Sequence, residues 1–188
     1  DNALKVTAAH EFFHAVQMGY TMNTTNFISE ATAAWIEDVV YRGLDDNLQY
    51  FYSLNSPDIS WNYNSVDYDA DGLEDSRWYF GWLYFKYLED KHGEVAVRKI
   101  YDALIDNPTW PVPYGDELTD IDNVLATNYS SGFVESFDRY IVASLILASG
   151  TTYAPYDFSR ADVYQTYQVN KHIFTREVPE FERYEFKQ

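Results

Sequence analysis

The central stretch of this sequence reads Arg77-Trp-Tyr-Phe-Gly-Trp-Leu-Tyr-Phe-Lys-Tyr-Leu-Glu89. Its aromatic and aliphatic residues fall on nearly every side of a helical period, which is typical of a helix that is buried all round. We therefore predict a helix over residues 76–91 at the centre of the fold. Gly93 follows where a helix commonly ends.

Five other segments have the composition and spacing of helices. They are residues 3–19, 28–42, 94–106, 119–127 and 131–148. A long loop is predicted over residues 44–75, and short strands or extended segments over residues 151–188. The fold class predicted is mainly α with few or no strands: a helical core over residues 1–150, followed by a C-terminal extension.

The composition narrows the classes of function. Acidic residues outnumber Lys and Arg by 30 to 13, so the net charge is −17. Such a surface repels phosphates, which excludes nucleic acid as a partner, and it attracts cations. The longest apolar run, residues 140–149, is shorter than the roughly 18 residues of a membrane span. The chain also has no Cys. An acidic, Lys-poor surface without Cys is common in secreted bacterial proteins, so we expect a secreted or cell-surface protein. Its oligomeric state stays open.

The clearest chemical signal is the motif His10-Glu11-Phe12-Phe13-His14. A spacing of four places His10 and His14 on one face of the first helix, where both imidazoles can hold one metal ion. Glu11 lies on the flank of that face and can reach a water on the metal without being a ligand. This is the H-E-x-x-H pattern of zinc peptidases, in which the Glu is the general base.

A catalytic zinc takes a third protein ligand and leaves one position for water. The extended pattern with a third His fails, because Gln17 and Tyr20 stand at the places of its Gly and His. Glu30 is the better candidate. The short connection over residues 19–27 lets the second helix fold back and bring Glu30 to the two imidazoles.

The sequence resembles the gluzincins, which include thermolysin and the M1-type aminopeptidases, in the pattern His10-Glu11-x-x-His14 … Phe27-Ile-Ser-Glu30-Ala31-x-Ala33-x-Trp35-x-Glu37. The resemblance implies that His10, His14 and Glu30 bind zinc and that Glu11 activates the water. It also implies that Glu37 supports His10 from behind, although a solvated helix charge is the alternative for Glu37. Many gluzincins carry Gly where Ala31 stands.

The helix over residues 76–91 is similar to the M1-type helix that carries a Tyr just before a Gly. The resemblance implies that the Tyr79 hydroxyl donates a hydrogen bond to the oxyanion formed during hydrolysis. A strict alignment on Gly81 places Trp78 there instead, and Tyr84 is the second choice. Because the chain has 18 Tyr, most of them are expected to be packing residues.

A second candidate metal site lies in the predicted loop. Carboxylates at positions 1, 3, 5 and 9 and Gly at position 6 fit the first half of a calcium loop. These residues are Asp67, Asp69, Asp71, Asp75 and Gly72. Trp78 replaces the bidentate Glu of position 12, so an ordinary EF-hand is excluded. A looser Ca²⁺ site and a solvated acidic turn both fit.

The resemblance implies zinc-dependent hydrolysis of a peptide or protein substrate. Gluzincins usually place a substrate-binding sheet before the first motif, whereas nine residues precede His10. We expect this sheet in an upstream segment; strands in residues 151–188 and an incomplete cleft are the alternatives. Two other functions stay open, a non-catalytic secreted interaction domain that keeps the zinc core and a metal-free helical module. Glu11 favours the enzyme, because a non-catalytic relative would be free to lose it.

Overall fold

A computed structural model describes residues 1–22, 24–55, 77–105, 116–148 and 158–164. Within these ranges the protein is mainly helical and contains no strand, which confirms the predicted fold class. No helix in the described part of the chain has both the length and the hydropathy that a membrane crossing requires.

All six predicted helices are present, with ends shifted by a few residues. In chain order the elements are α1 (Asn2–Tyr20), α2 (Asn26–Val40), α3 (Arg77–Phe80), α4 (Trp82–His92), α5 (Val95–Ile105), α6 (Asp116–Tyr129) and α7 (Phe133–Ala148). The prediction of a loop from residue 44 is wrong for Asp46–Asn55, which forms a 3₁₀ segment. Leu48 and Phe51 of that segment are buried, and their burial against α2 and α3 explains the added order.

Helix α4 lies at the centre of the fold, as the sequence predicts. Every residue from Trp82 to Glu89 is buried, and helices α2, α5 and α7 pack around it. The apolar residues of α4 therefore supply the core, and the surrounding helices are placed relative to it.

The predicted helix over residues 76–91 is divided at Gly81 into α3 and α4. Gly81 keeps right-handed helical angles, with φ −54° and ψ −19°. A Cβ atom at this position would lie 2.8 Å from Cβ of Ala31 and 2.8 Å from a ring carbon of Phe27. Real Cβ atoms do not approach other atoms so closely, so the contact between α2 and this helix requires glycine. Ala31 follows Glu30, which ties this contact to the candidate site.

The start of α2 is held by a residue from α6. Glu117 is buried; its Oε1 accepts a hydrogen bond from the backbone N of Thr25 at 2.5 Å, and its Oε2 accepts one from the Thr25 hydroxyl. A carboxylate at a helix N-terminus satisfies free N–H groups and complements the helix dipole. The interaction fixes the first turn of α2, one turn before Glu30.

Residues 158–164 pack onto the helical core. Residues 161–164 form a helical turn, so the prediction of strands or extended segments over residues 151–188 is wrong there; residues 151–157 and 165–188 lie outside the described residues. Phe158 and Tyr164 are buried in the core. Arg160 donates to Asp38 at 2.6 Å and to Asp45 at 2.5 Å. Apolar burial and these two ion pairs together favour the turn over an extended segment.

Candidate metal centre

Three side chains converge where α1 faces α2. Oε2 of Glu30 lies 3.2 Å from Nε2 of His10 and 3.6 Å from Nε2 of His14. One ligand atom from each of these residues can be chosen so that all three lie within 4.8 Å of one another. The structure thus brings together the three residues that the resemblance implies as zinc ligands.

The two separations from Glu30 to the imidazoles suit a tetrahedral ion. With bonds of about 2.0–2.1 Å, neighbouring ligand atoms of a tetrahedral zinc lie roughly 3.4 Å apart. The distances of 3.2 and 3.6 Å from Glu30 to the two imidazoles lie close to that value. Two imidazole nitrogens and one carboxylate also form a donor set that zinc accepts in catalytic sites. The residues present therefore fit a zinc ion, although its binding stays a prediction.

Glu37 lies behind His10. Nδ1 of His10 donates a hydrogen bond of 2.7 Å to Oε1 of Glu37, and both side chains are buried. The carboxylate oxygen in this pair accepts, so Nδ1 carries a proton, and Nε2 is the nitrogen directed at Glu30. This contact occurs commonly behind metal-binding histidines, where it fixes the tautomer and the ring orientation.

Charge interactions dominate the titration of the group. Burial lowers the pKa of His10, but hydrogen bonds to Glu30 and Glu37 and the charges of both carboxylates outweigh it and raise the pKa to about 9. The pKa of His14 is raised, chiefly by Glu30. Burial raises the pKa of Glu30, but its contacts with His10 and His14 outweigh burial and lower that pKa to about 2.

The same interactions describe what a cation would replace. Burial raises the pKa of Glu37, and the hydrogen bond and charge of His10 partly offset this rise. The protonated His10 imidazole therefore also stabilises the Glu37 carboxylate. A metal ion bound by the two imidazoles requires their free nitrogens, so it would compete with the protons that Glu30 stabilises on them.

Glu11 lies at the rim of the group. It is exposed, and together with His14 and Glu30 it lines a groove of about 370 Å³. Met18 and Met22 also line this groove. Glu11 can therefore meet solvent and a bound molecule beside the three ligand candidates, while it takes no part in their cluster.

The residues considered for the oxyanion occupy different surroundings. The ring centroid of Tyr79 lies 5.8 Å from that of His10, and the ring stacks on Tyr50 at 4.9 Å. Trp78 is buried. Tyr84 is fully buried and its hydroxyl donates to Ser136 of α7, away from the imidazoles. Of the two tyrosines considered, Tyr79 is the one placed beside the candidate metal centre.

The candidate calcium loop cannot be compared with the structure. Its residues Asp67, Asp69, Asp71 and Asp75 lie outside the described residues. Among the residues that are described, the group of three metal-ligating side chains is the one formed by His10, His14 and Glu30.

The sequence pattern predicts no role for one polar residue that lies beside His14. Gln17 is buried, and its Oε1 accepts a hydrogen bond of 2.7 Å from Nδ1 of His14. In the sequence, Gln17 stands out only because it replaces the Gly of the zinc-binding pattern that is extended by a third His. Its place one turn after His14, on the same helix face, is the signal that could have identified it.

Comparisons of the chain with protein-family models, with curated proteins and with solved structures find no match. The functional argument for this protein therefore depends on its own residues and their arrangement.

Proposed function

We propose that this protein is a zinc-dependent peptidase of the gluzincin type. The observation that carries the proposal is the convergence of His10, His14 and Glu30 within 4.8 Å, with Glu11 beside them in an open groove. A cluster of ligands alone would suit a structural metal. The adjacent exposed carboxylate and the groove favour catalysis, because a structural zinc is closed by protein on all sides.

Each residue has a distinct task in the proposed reaction. His10, His14 and Glu30 would hold zinc, which would supply a Lewis acid to polarise the peptide carbonyl and make a bound water acidic. Glu11 takes a proton from the attacking water and delivers it to the nitrogen of the leaving amine, so that the C–N bond breaks and a carboxylate and an amine result. The hydroxyl of Tyr79 donates a hydrogen bond to the oxyanion.

The substrate is proposed to lie in the groove that Glu11, Met18 and Met22 line together with two of the ligand candidates. Both methionines are exposed, and their flexible side chains suit apolar side chains of different shapes. The acidic chain, with its net charge of −17, attracts cationic molecules more than anionic ones. We therefore propose an apolar or basic peptide segment as the substrate.

The direct test replaces Glu11 by Gln. The variant should bind zinc as tightly as the wild type, since Glu11 is outside the ligand cluster, and it should lose at least roughly a hundredfold in the hydrolysis of an unstructured protein. Glu94→Gln, which changes an exposed carboxylate at the start of α5, is the matched control and should keep full activity. Zinc binding without turnover in the wild type would contradict the proposal and favour a non-catalytic, metal-stabilised domain.

A further inference from the structure

A chain of buried hydrogen bonds extends from His14 into the core. Gln17 is 4% exposed. Its Oε1 lies 2.7 Å from Nδ1 of His14, while its Nε2 lies 2.8 Å from the backbone oxygen of Ser29 and 2.9 Å from Oγ1 of Thr32. The side chain thus joins a ligand candidate on α1 to the turn of α2 that contains Glu30.

The orientation of the Gln17 amide is fixed by its partners. The backbone oxygen of Ser29 can only accept, so the NH₂ group of Gln17 must face it. The Gln17 oxygen then faces His14, and this oxygen can also only accept. Nδ1 of His14 must therefore carry a proton, which leaves Nε2 as the nitrogen that faces Glu30.

The hydrogen-bond directions are fixed one step further into the core. The hydroxyl of Thr32 donates to the backbone oxygen of Ile28 at 2.7 Å. It must then accept from Gln17 and from the hydroxyl of Tyr101, which lies 2.7 Å away on α5. Thr32 and Tyr101 are both buried. Three helices thus hold the amide in one orientation, and a reversed amide would face two acceptors with its oxygen.

We propose that Gln17 is a positioning residue of the metal centre, which holds the His14 ring with Nε2 directed at the metal. The inference rests on the proposed function, because it assigns a partner to one of its zinc ligands. His10 is supported by a carboxylate and His14 by a neutral amide, so the two imidazoles have different partners. Gln17 also couples the position of His14 to the backbone next to Glu30, which keeps ligands from two helices in register.

The test compares zinc affinities of three proteins by competition with a chelator. In Gln17→Met a side chain of similar length lacks the acceptor, and we expect a loss of roughly 10- to 100-fold in affinity. Tyr101→Phe is the matched control, because it removes a buried hydroxyl from the same series of hydrogen bonds but leaves the bond between Gln17 and His14. This control should lower the melting temperature and change zinc affinity less than about threefold.

The outcomes separate this inference from the proposed function. Wild-type zinc affinity in Gln17→Met overturns the positioning role alone, as does an equal loss of affinity in Tyr101→Phe. Failure of the wild-type protein to bind zinc overturns both proposals. A measurement on the zinc-loaded wild type needs no variant: long-range ¹H–¹⁵N spectra should show the His14 proton on Nδ1, and a proton on Nε2 would overturn the role of Gln17.

Discussion

Nδ1 of His10 lies 2.7 Å from Oε1 of Glu37, although the two residues stand on different helices. Glu37 is two helical turns beyond Glu30 on α2, so one helix supplies both the carboxylate that faces Nε2 of His10 and the carboxylate that faces Nδ1. Each nitrogen of the His10 ring thus faces a carboxylate, and rotation of the ring about its Cβ–Cγ bond would break at least one of these two contacts. Contacts with both carboxylates therefore constrain the His10 ring.

Replacing Glu37 should weaken metal binding without removing a ligand. We expect Glu37→Ala to lower zinc affinity roughly 10- to 100-fold, because His10 loses the partner that fixes its tautomer and raises its basicity. Glu37→Gln keeps an acceptor and should lose less. Isothermal titration with zinc measures both effects, with the exposed Glu94 changed to Gln as the control. Unchanged affinity in Glu37→Ala would contradict a supporting role for this residue.

Zinc binding should release protons. With a pKa of about 9, His10 in the metal-free protein is protonated at neutral pH, and zinc requires the free nitrogen. We expect at least one proton to be released near pH 7.5, and apparent affinity to rise about tenfold per pH unit for each displaced proton until about pH 9. Titration calorimetry in buffers of different ionisation enthalpy counts these protons. A heat that does not depend on the buffer would contradict the assignment of His10.

The stability of the metal-free protein should depend on pH through the same group. The raised pKa of His10 contributes stability that is fully present below pH 6.5 and lost as the pH rises through about 9. The lowered pKa of Glu30 contributes stability that is present above pH 4.5 and lost as the pH falls through about 2. In the pH range between the ordinary pKa values of Glu and His, both contributions are fully present, and the group stabilises the metal-free fold most.

Excess zinc should alter this dependence, because the ion binds the deprotonated imidazoles and stabilises the fold in proportion to its affinity. We expect the melting temperature with zinc to rise relative to the metal-free protein as the pH increases from about 6 to 9. Thermal melts with zinc and with a chelator at each pH measure the difference. A constant difference over this range would argue against competition between zinc and protons.

The sequence predicted the helices and the shared face of His10 and His14 because both depend on local spacing, whereas Glu30 was placed beside them by the resemblance and by the short connection between the first two helices. A separation of four positions places His10 and His14 on one face of any helix, and the apolar run of α4 requires a central position in any packing. Tyr101 could not be predicted in this way. It lies 69 residues from Thr32, and their contact exists only because α1 packs against both α5 and α2.

The role of Gln17 could be predicted from the sequence only in part. Its position one turn after His14 was visible in the sequence, but an amide on a helix face is usually solvated. Its role depends on burial against Ser29 and Thr32, which follows from the packing of α1 on α2. Polar residues one turn from a ligand on the same face are therefore worth examining in any sequence with this motif.

Adding a methyl group at Gly81 should disturb the site from a distance. The new Cβ would meet Ala31 and Phe27 at 2.8 Å, so α2 and the helix that contains Gly81 must move apart. We expect Gly81→Ala to cost about 1–3 kcal/mol of stability and to weaken zinc binding through Glu30. Gly19→Ala is the matched control, since nothing lies within 4 Å of its Cβ. The control should be stabilising by roughly 0.5–1 kcal/mol. Chemical denaturation and zinc titration of both variants test the expectation.

Tyr79→Phe should separate catalysis from metal binding. The ring would keep its place near His10 and its stacking on Tyr50, so zinc affinity and melting temperature should change little. If the hydroxyl donates to the oxyanion, kcat should fall roughly a hundredfold with KM nearly unchanged, because the bond is made only in the transition state. Tyr50→Phe removes the hydroxyl of the stacked neighbour and should keep kcat within about threefold of the wild type. Equal losses of kcat in the two variants would show that the Tyr79 hydroxyl contributes through the packing of the stacked pair and not through a bond to the oxyanion. An unchanged kcat in Tyr79→Phe would remove this residue from the proposed reaction.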